Sequence, residues 1–205
     1  MEQVQRLDSW YKDRLGKFTA SEIHRLMGVQ GLGETGKTYA IEKAIEELFG
    51  QVEENYVSYD MQKGIDLEPL ALAKITELKS MLFLDVSTCG FISKDKNSGS
   101  SPDGKVSDNS VIEIKCPKVE TFMKLVVSNI IDKKYYFQMQ KQIDDTDSDK
   151  AYFFNYCVID GVEYYHEIVV QRDQKTIDLI NERIKEAVEI KNEFIKQLNK
   201  NKQWK

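Results

Sequence analysis

Ser101-Pro102-Asp103-Gly104 is followed, after a short turn, by Glu113-Ile114-Lys115. A strand, a turn and a return strand would carry the carboxylates of Asp103 and Glu113 to one edge. Oxygen donors of this kind suit hard cations such as Mg²⁺ or Mn²⁺. Side chains alternate along a strand, so Glu113 and Lys115 share a face while Ile114 points into a core. The main-chain carbonyl of Ile114 is then free to face the ion. Lys115, beside the carboxylates, can orient or help deprotonate a water and offset developing charge. Metal-assisted hydrolysis with in-line attack on phosphorus is the chemistry such a set suits. The spacing by itself arises often, and a strand bearing Glu and Lys is usually a solvated one. Here the two charges sit among Val111, Ile112 and Ile114, in a segment apolar enough to be buried. Charges there are costly unless paired or metal-bound.

A second pattern competes. Gly31-Leu32-Gly33-Glu34-Thr35-Gly36-Lys37-Thr38 fits the phosphate-loop spacing of NTPases, and Met81–Asp85 could pass for the apolar strand whose Asp holds magnesium. A phosphate loop needs a buried strand delivering its glycines to a helix N-terminus. Here the preceding segment reads as a helix, leaving only Val29 and Gln30 before Gly31. The expectation is a Gly-rich loop between helices, with NTPase activity as an unfavoured alternative.

The elements that must position these residues are legible from periodicity. Residues 2–13 read as a short helix. Thr19-Ala20-Ser21-Glu22 has the form of a capping box, opening a helix that runs to Met27 with Gly28 as its stop. Residues 38–49 and 64–79 read as amphipathic helices, the second with Ile65, Leu67, Leu70, Leu72, Ile75 and Leu78 on its apolar face. Residues 82–87 and 90–93 suit short strands, 94–101 a polar turn, and 111–115 a strand. Helices are expected over 118–129 and 134–144. Residues 151–159 and 162–170 form two β-rich runs joined by Asp160-Gly161, a strong hairpin signal. Ile177, Ile180, Ile184, Val188, Ile195 and Leu198 mark a long final helix. The fold expected is one α/β domain over residues 1–205, a mixed sheet flanked by helices.

The chain has 205 residues and a formal net charge of −5, which argues weakly against a protein that simply coats DNA. Residues 183–205 carry +4; a solvated helix face explains this, as does a phosphate or subunit contact. No apolar run is long enough for a transmembrane helix, and the N-terminus lacks the pattern of a secretory signal. Cys89, Cys116 and Cys157 fit reduced thiols in a cytosolic protein. With two histidines, His24 and His166, and no CxxC, a structural zinc site is not expected.

The ordered set of motifs resembles the phage lambda exonuclease family, the YqaJ-like viral recombinases of the PD-(D/E)xK nuclease superfamily. The matching features are Arg14-Leu15-Gly16 leading to Thr19-Ala20-Ser21-Glu22, Gly64-x-x-x-Glu68, Ser101-Pro102-Asp103-Gly104, Glu113-Ile114-Lys115-Cys116-Pro117 and Gln138-Met139-Gln140. The hairpin and a final helix ending near Gln203-Trp204 are also similar. The resemblance implies a restriction-endonuclease-like core with Asp103, Glu113 and the Ile114 carbonyl as metal ligands. Glu68 would support a second ion or its waters, Lys115 would be the catalytic lysine, and Gln138, ahead of Gln140, would help place the nucleophilic water. Arg14, Ser21 and Ser101 match the family's pocket for a 5′-terminal phosphate. Ser21 in a first helical turn and the planar fork of Arg14 suit an anion on general grounds too.

The implied activity is a Mg²⁺-dependent 5′→3′ exonuclease, with Mn²⁺ able to substitute and two ions per site. It would degrade one strand of linear double-stranded DNA from 5′-phosphorylated ends to 5′-mononucleotides, leaving a 3′ overhang for phage homologous recombination. A ring-shaped homotrimer, a phage single-strand annealing protein as partner, and a place in the bacterial cytoplasm are implied alike. A structure-specific or nicking endonuclease of the same superfamily is the alternative, with a non-catalytic DNA-binding module behind it.

Overall fold

The structure, a computed structural model, describes residues 8–50 and 59–201. A five-stranded mixed sheet runs in the order β2 (Val86–Ser87), β4 (Gly104–Val106), β5 (Ser110–Lys115), β6 (Lys150–Ile159), β7 (Val162–Gln171). Within this sheet, among the described residues, β5 and β6 are parallel and the other neighbours are antiparallel. A parallel pair needs a crossover, and α4 (Val119–Ser128) with α5 (Lys133–Asp145) supplies it. β5 lies between two partners, and its β-branched residues Val111, Ile112 and Ile114 are buried on both faces.

Each face of the sheet has its own core. Ile112, Ile114, Phe154 and Tyr156 pack against Ala71 and Ile75 of α3 (Tyr59–Ser80). Val111, Phe153 and Val170 pack against Met139 and Ile143 of α5 and Ile177 of α6 (Gln174–Lys200). A third cluster joins Phe18, Ile23 and Leu26 to Tyr39 of α2 (Gly33–Phe49) and to Ile180 and Ile184 of α6. The chain begins with α1 (Asp8–Arg14). Residues 2–7, part of the first expected helix, and Gln203-Trp204 lie outside the described residues.

A second, two-stranded sheet has no counterpart among the expected elements. β1 (Phe18–Thr19) pairs in parallel with β3 (Ser98–Gly99), Phe18 opposite Ser98 and Thr19 opposite Gly99. Because the strands run the same way, the residues two positions further on, Ser21 and Ser101, leave side by side. Gly99 is required at this crossing, since a Cβ there would lie 2.4 Å from the Phe91 ring and 2.5 Å from the Ile92 carbonyl.

Several local expectations are corrected. The segment after Thr19 is a 3-10 helix, Ala20–Leu26, and the Thr19 side chain does not cap it; its hydroxyl lies 3.3 Å from Ser21 Oγ instead. Thr19 is committed to β1, so the capping-box pattern is a coincidence of composition. α2 begins at Gly33, within the expected loop. Residues 81–83 are a turn with Phe83 at φ 58°, and only Val86–Ser87 of that run pairs. Leu70, placed on the apolar face from periodicity, is 50% exposed.

The hairpin stands as expected. Asp160 and Gly161 join β6 to β7 with φ 50° and 78°, values that Asp tolerates and Gly adopts freely. Among the described residues no atom would meet a Cβ at Gly161, so Gly161→Ala carries a backbone cost alone. It is expected to destabilise the fold by about 1–2 kcal/mol. A urea melt checks this, and an unchanged midpoint would contradict it.

Candidate active site

The sheet edge at β4 and β5 creates the centre of the site. Pro102 has no N–H, so the ladder cannot continue past Asp103. The Ile114 N–H donates instead to Asp103 Oδ2 at 2.6 Å, while the Asp103 N–H donates to the Ile112 carbonyl at 2.9 Å. A strand residue directs its N–H and C=O to the same side, so the Ile114 carbonyl faces the edge that holds Asp103.

Glu113 points to the opposite face from Ile114 and is 2% exposed. Its carboxylate accepts from Gln138 Nε2 at 2.7 Å and from Gln142 Nε2 at 2.6 Å, both on α5. Lys115 Nζ donates to the same oxygen as Gln138. Burial, then the neighbouring charge of Glu113, pushes the Asp103 carboxyl well above its usual range; Lys115 opposes this and Glu68 adds to it. Burial works to lower the Lys115 pKa, but Glu113 and Asp103 hold the ammonium above its ordinary value. Lys115 is therefore an ammonium in this arrangement, able to donate rather than accept. Cys116, next in sequence, is pushed up to about 12 by burial, Glu68 and Asp103. It stays a thiol and is no nucleophile at neutral pH.

A second group sits beside the first. Arg14 donates to Ser101 Oγ at 3.1 Å and to Ser21 Oγ at 3.3 Å. Its guanidinium lies over the Trp10 ring, 4.1 Å from the centroid, and Trp10 Nε1 also donates to Ser101 Oγ at 2.9 Å. Burial lowers the Arg14 pKa, a cost that an anion held by the guanidinium would offset. One cavity of about 800 Å³ is lined by Arg14, Ser21 and Ser101, by Glu68, Asp103, Glu113, Ile114 and Lys115, and by Gln138. The residues given nuclease-site roles from sequence, Gln140 excepted, thus line one space.

The donor set fits a hard divalent cation. Asp103, Glu113 and the Ile114 carbonyl offer oxygen only, and Mg²⁺ is commonly held by one or two carboxylates with waters completing its shell. Among the described residues no three His, Cys, Asp or Glu side chains form a ready-made cage. Glu68 lines the cavity and acts on Asp103 through its charge. The mutual repulsion of the Asp103 and Glu113 carboxylates is what a cation would relieve.

Gln142 and Trp10 are among the lining residues that the sequence does not single out. Gln142 follows Gln138 by one helical turn, a spacing that could have flagged it. Trp10 precedes Arg14 by one helical turn and stacks on it, but its hydrogen-bond partner Ser101 is distant in sequence. Gln140 is bound elsewhere: it donates to the Gln171 carbonyl and accepts from the Asp173 N–H, each at 2.8 Å. The phosphate-loop pattern also dissolves. A 3-10 helix and the Gly28–Gly31 bridge precede α2, Gly36 and Lys37 are helical, and Lys37 pairs with Glu34 at 2.8 Å. In the basic tail, Lys191 is buried on the Gly16 carbonyl and Glu47, and Arg183 pairs with Glu186.

The sequence profile of the YqaJ-like viral recombinase domain matches residues 9–149. No curated protein sequence is significantly similar. Among solved structures, an alkaline exonuclease from Laribacter hongkongensis is similar over 97% of this chain and 100% of its own, with 28% identity and a TM-score of 0.85. The structure of that enzyme in complex with dAMP gives 26% identity and a TM-score of 0.84 over the same shares. A phage-related exonuclease from Haemophilus somnus 129PT shares the fold at 20% identity, with a TM-score of 0.69 over 89% of this chain and 96% of that one.

Proposed function

The chain belongs to the YqaJ-like viral recombinase domain family, and from that premise we propose that it is a divalent-metal-dependent 5′→3′ exonuclease acting on linear double-stranded DNA. That it is a DNA exonuclease rests on the family and on the alkaline exonuclease structures. The finer reading rests on one observation: a carboxylate–lysine cluster and an arginine–serine cluster line the same cavity.

Asp103, Glu113 and the Ile114 carbonyl would hold Mg²⁺ or Mn²⁺, with Glu68 supporting a second ion or its waters. When bound, the ion supplies Lewis acidity and an activated water. Gln138 would keep Glu113 in place and position the attacking water. Lys115 would donate to that water or to the phosphoryl oxygens and offset the charge that develops on them. Arg14, Ser21 and Ser101 would grip the 5′-terminal phosphate with charge-assisted hydrogen bonds. Each cleavage exposes a new 5′-phosphate for the same grip, which gives the enzyme its direction and 5′-mononucleotides as product. A single domain over residues 1–205, a homotrimer around duplex DNA, and a role beside a single-strand annealing protein in the bacterial cytoplasm, encoded by a phage or prophage, complete the proposal.

Linear duplex DNA is expected to be degraded with Mg²⁺ and left intact with chelator, and covalently closed circles are expected to resist under both conditions. Gel electrophoresis and chromatography of the products check this. Cleavage of the closed circle would replace the exonuclease reading with an endonuclease, and digestion in chelator would remove the metal from the mechanism.

A further inference from the structure

Gln142 is fully buried, lines the cavity, and spends only half of its amide. Its Nε2 donates to Glu113 Oε2 at 2.6 Å. Its Oε1 is buried and accepts no hydrogen bond among the described residues. The amide cannot be reversed to cure this, because Oε1 would then face the Glu113 carboxylate, acceptor against acceptor. A buried acceptor without a partner is costly, and here it belongs to a side chain that borders a cavity suited to water and a cation.

We propose that Gln142 is a positioning residue of the nuclease site, fixing the Glu113 carboxylate through Nε2 and receiving at Oε1 a hydrogen bond from a water held beside the metal ion. The proposal rests on the metal-dependent reading above. Gln138 and Gln142, one turn apart on α5, hold the two oxygens of Glu113 separately. The carboxylate can then neither rotate nor rock, and the lone pair offered to the ion keeps one direction. Residues that orient a metal ligand in this way commonly change affinity or activity by about 10–100-fold when removed.

The test uses the full chain and compares Gln142→Met with Gln140→Met. Gln140 is also fully buried on α5, but its amide bonds to the Gln171 carbonyl and the Asp173 N–H. Mn²⁺ binding is measured without DNA by electron paramagnetic resonance, followed by kcat and KM on 5′-phosphorylated linear duplex and by Tm. Gln142→Met is expected to weaken Mn²⁺ about tenfold or more and to lower kcat, with KM for DNA unchanged. Gln140→Met is expected to lower Tm and leave Mn²⁺ affinity intact. Should Gln142→Met not fold, Gln142→Asn, one methylene too short to reach Glu113, is read for the same loss. Wild-type Mn²⁺ affinity and kcat in a folded Gln142 variant would overturn the proposal while leaving the nuclease reading standing. A wild-type protein that neither binds Mn²⁺ nor cleaves would overturn both.

Discussion

Lys115→Ala is expected to slow DNA cleavage by about 10²–10³-fold, the range for losing a preorganised charge that acts on the developing transition state. The Lys115 ammonium is pinned to Glu113 and held protonated by Glu113 and Asp103. Its positive charge therefore waits where the phosphoryl group would gain negative charge. Removing it also leaves Glu113 facing Asp103 without a cationic neighbour, though Gln138 and Gln142 still satisfy the buried carboxylate. The variant should fold, and the loss should appear in single-turnover rates at saturating Mg²⁺ with DNA affinity retained. Digestion at the wild-type rate would sink the assignment of Lys115.

The second large effect concerns substrate choice. Arg14→Ala is expected to erase most of the preference for 5′-phosphate over 5′-hydroxyl ends. A charge-assisted hydrogen bond is worth about 1.5–3 kcal/mol, so the ratio of kcat/KM for the two ends should fall by about 10- to 100-fold. Cleavage of hydroxyl ends should change little, because Arg14 touches Ser21, Ser101 and Trp10 but neither carboxylate. An unchanged ratio in competition between the two ends would show that the phosphate is held elsewhere.

The readable parts of this molecule are those in which local pattern and tertiary role agree. β5 is rich in β-branched residues and central; the Asp160-Gly161 turn needs positive φ and uses residues that adopt it; α6 carries an apolar stripe interrupted by the buried Lys191. Asp103, Glu113 and Lys115 stand out as candidates because their types and spacing suit the proposed chemistry, and they line one cavity. The start of the 3-10 helix misleads because Thr19 and Glu22 have capping identities, while tertiary pairing with β3 claims Thr19 for a strand. The pairing itself was invisible, since two residues on each side contain no periodicity. Trp10 and Gln142 are hard to read for different reasons: one hydrogen-bonds to a residue far along the chain, and the other lies in a helix whose buried residues are mostly polar.

The segment Ser101-Pro102-Asp103 joins the proposed phosphate grip to the proposed metal carboxylates. Its centre is a proline with restricted φ, and its flanks are tied down by Arg14 and Trp10 on one side and the Ile114 N–H on the other. On the proposed reading this makes it a ruler. The stretch of DNA strand between the anchored end and the broken bond is dictated by the reach of three backbone residues, so the size of the released unit is a length measured in peptide, whatever base it carries.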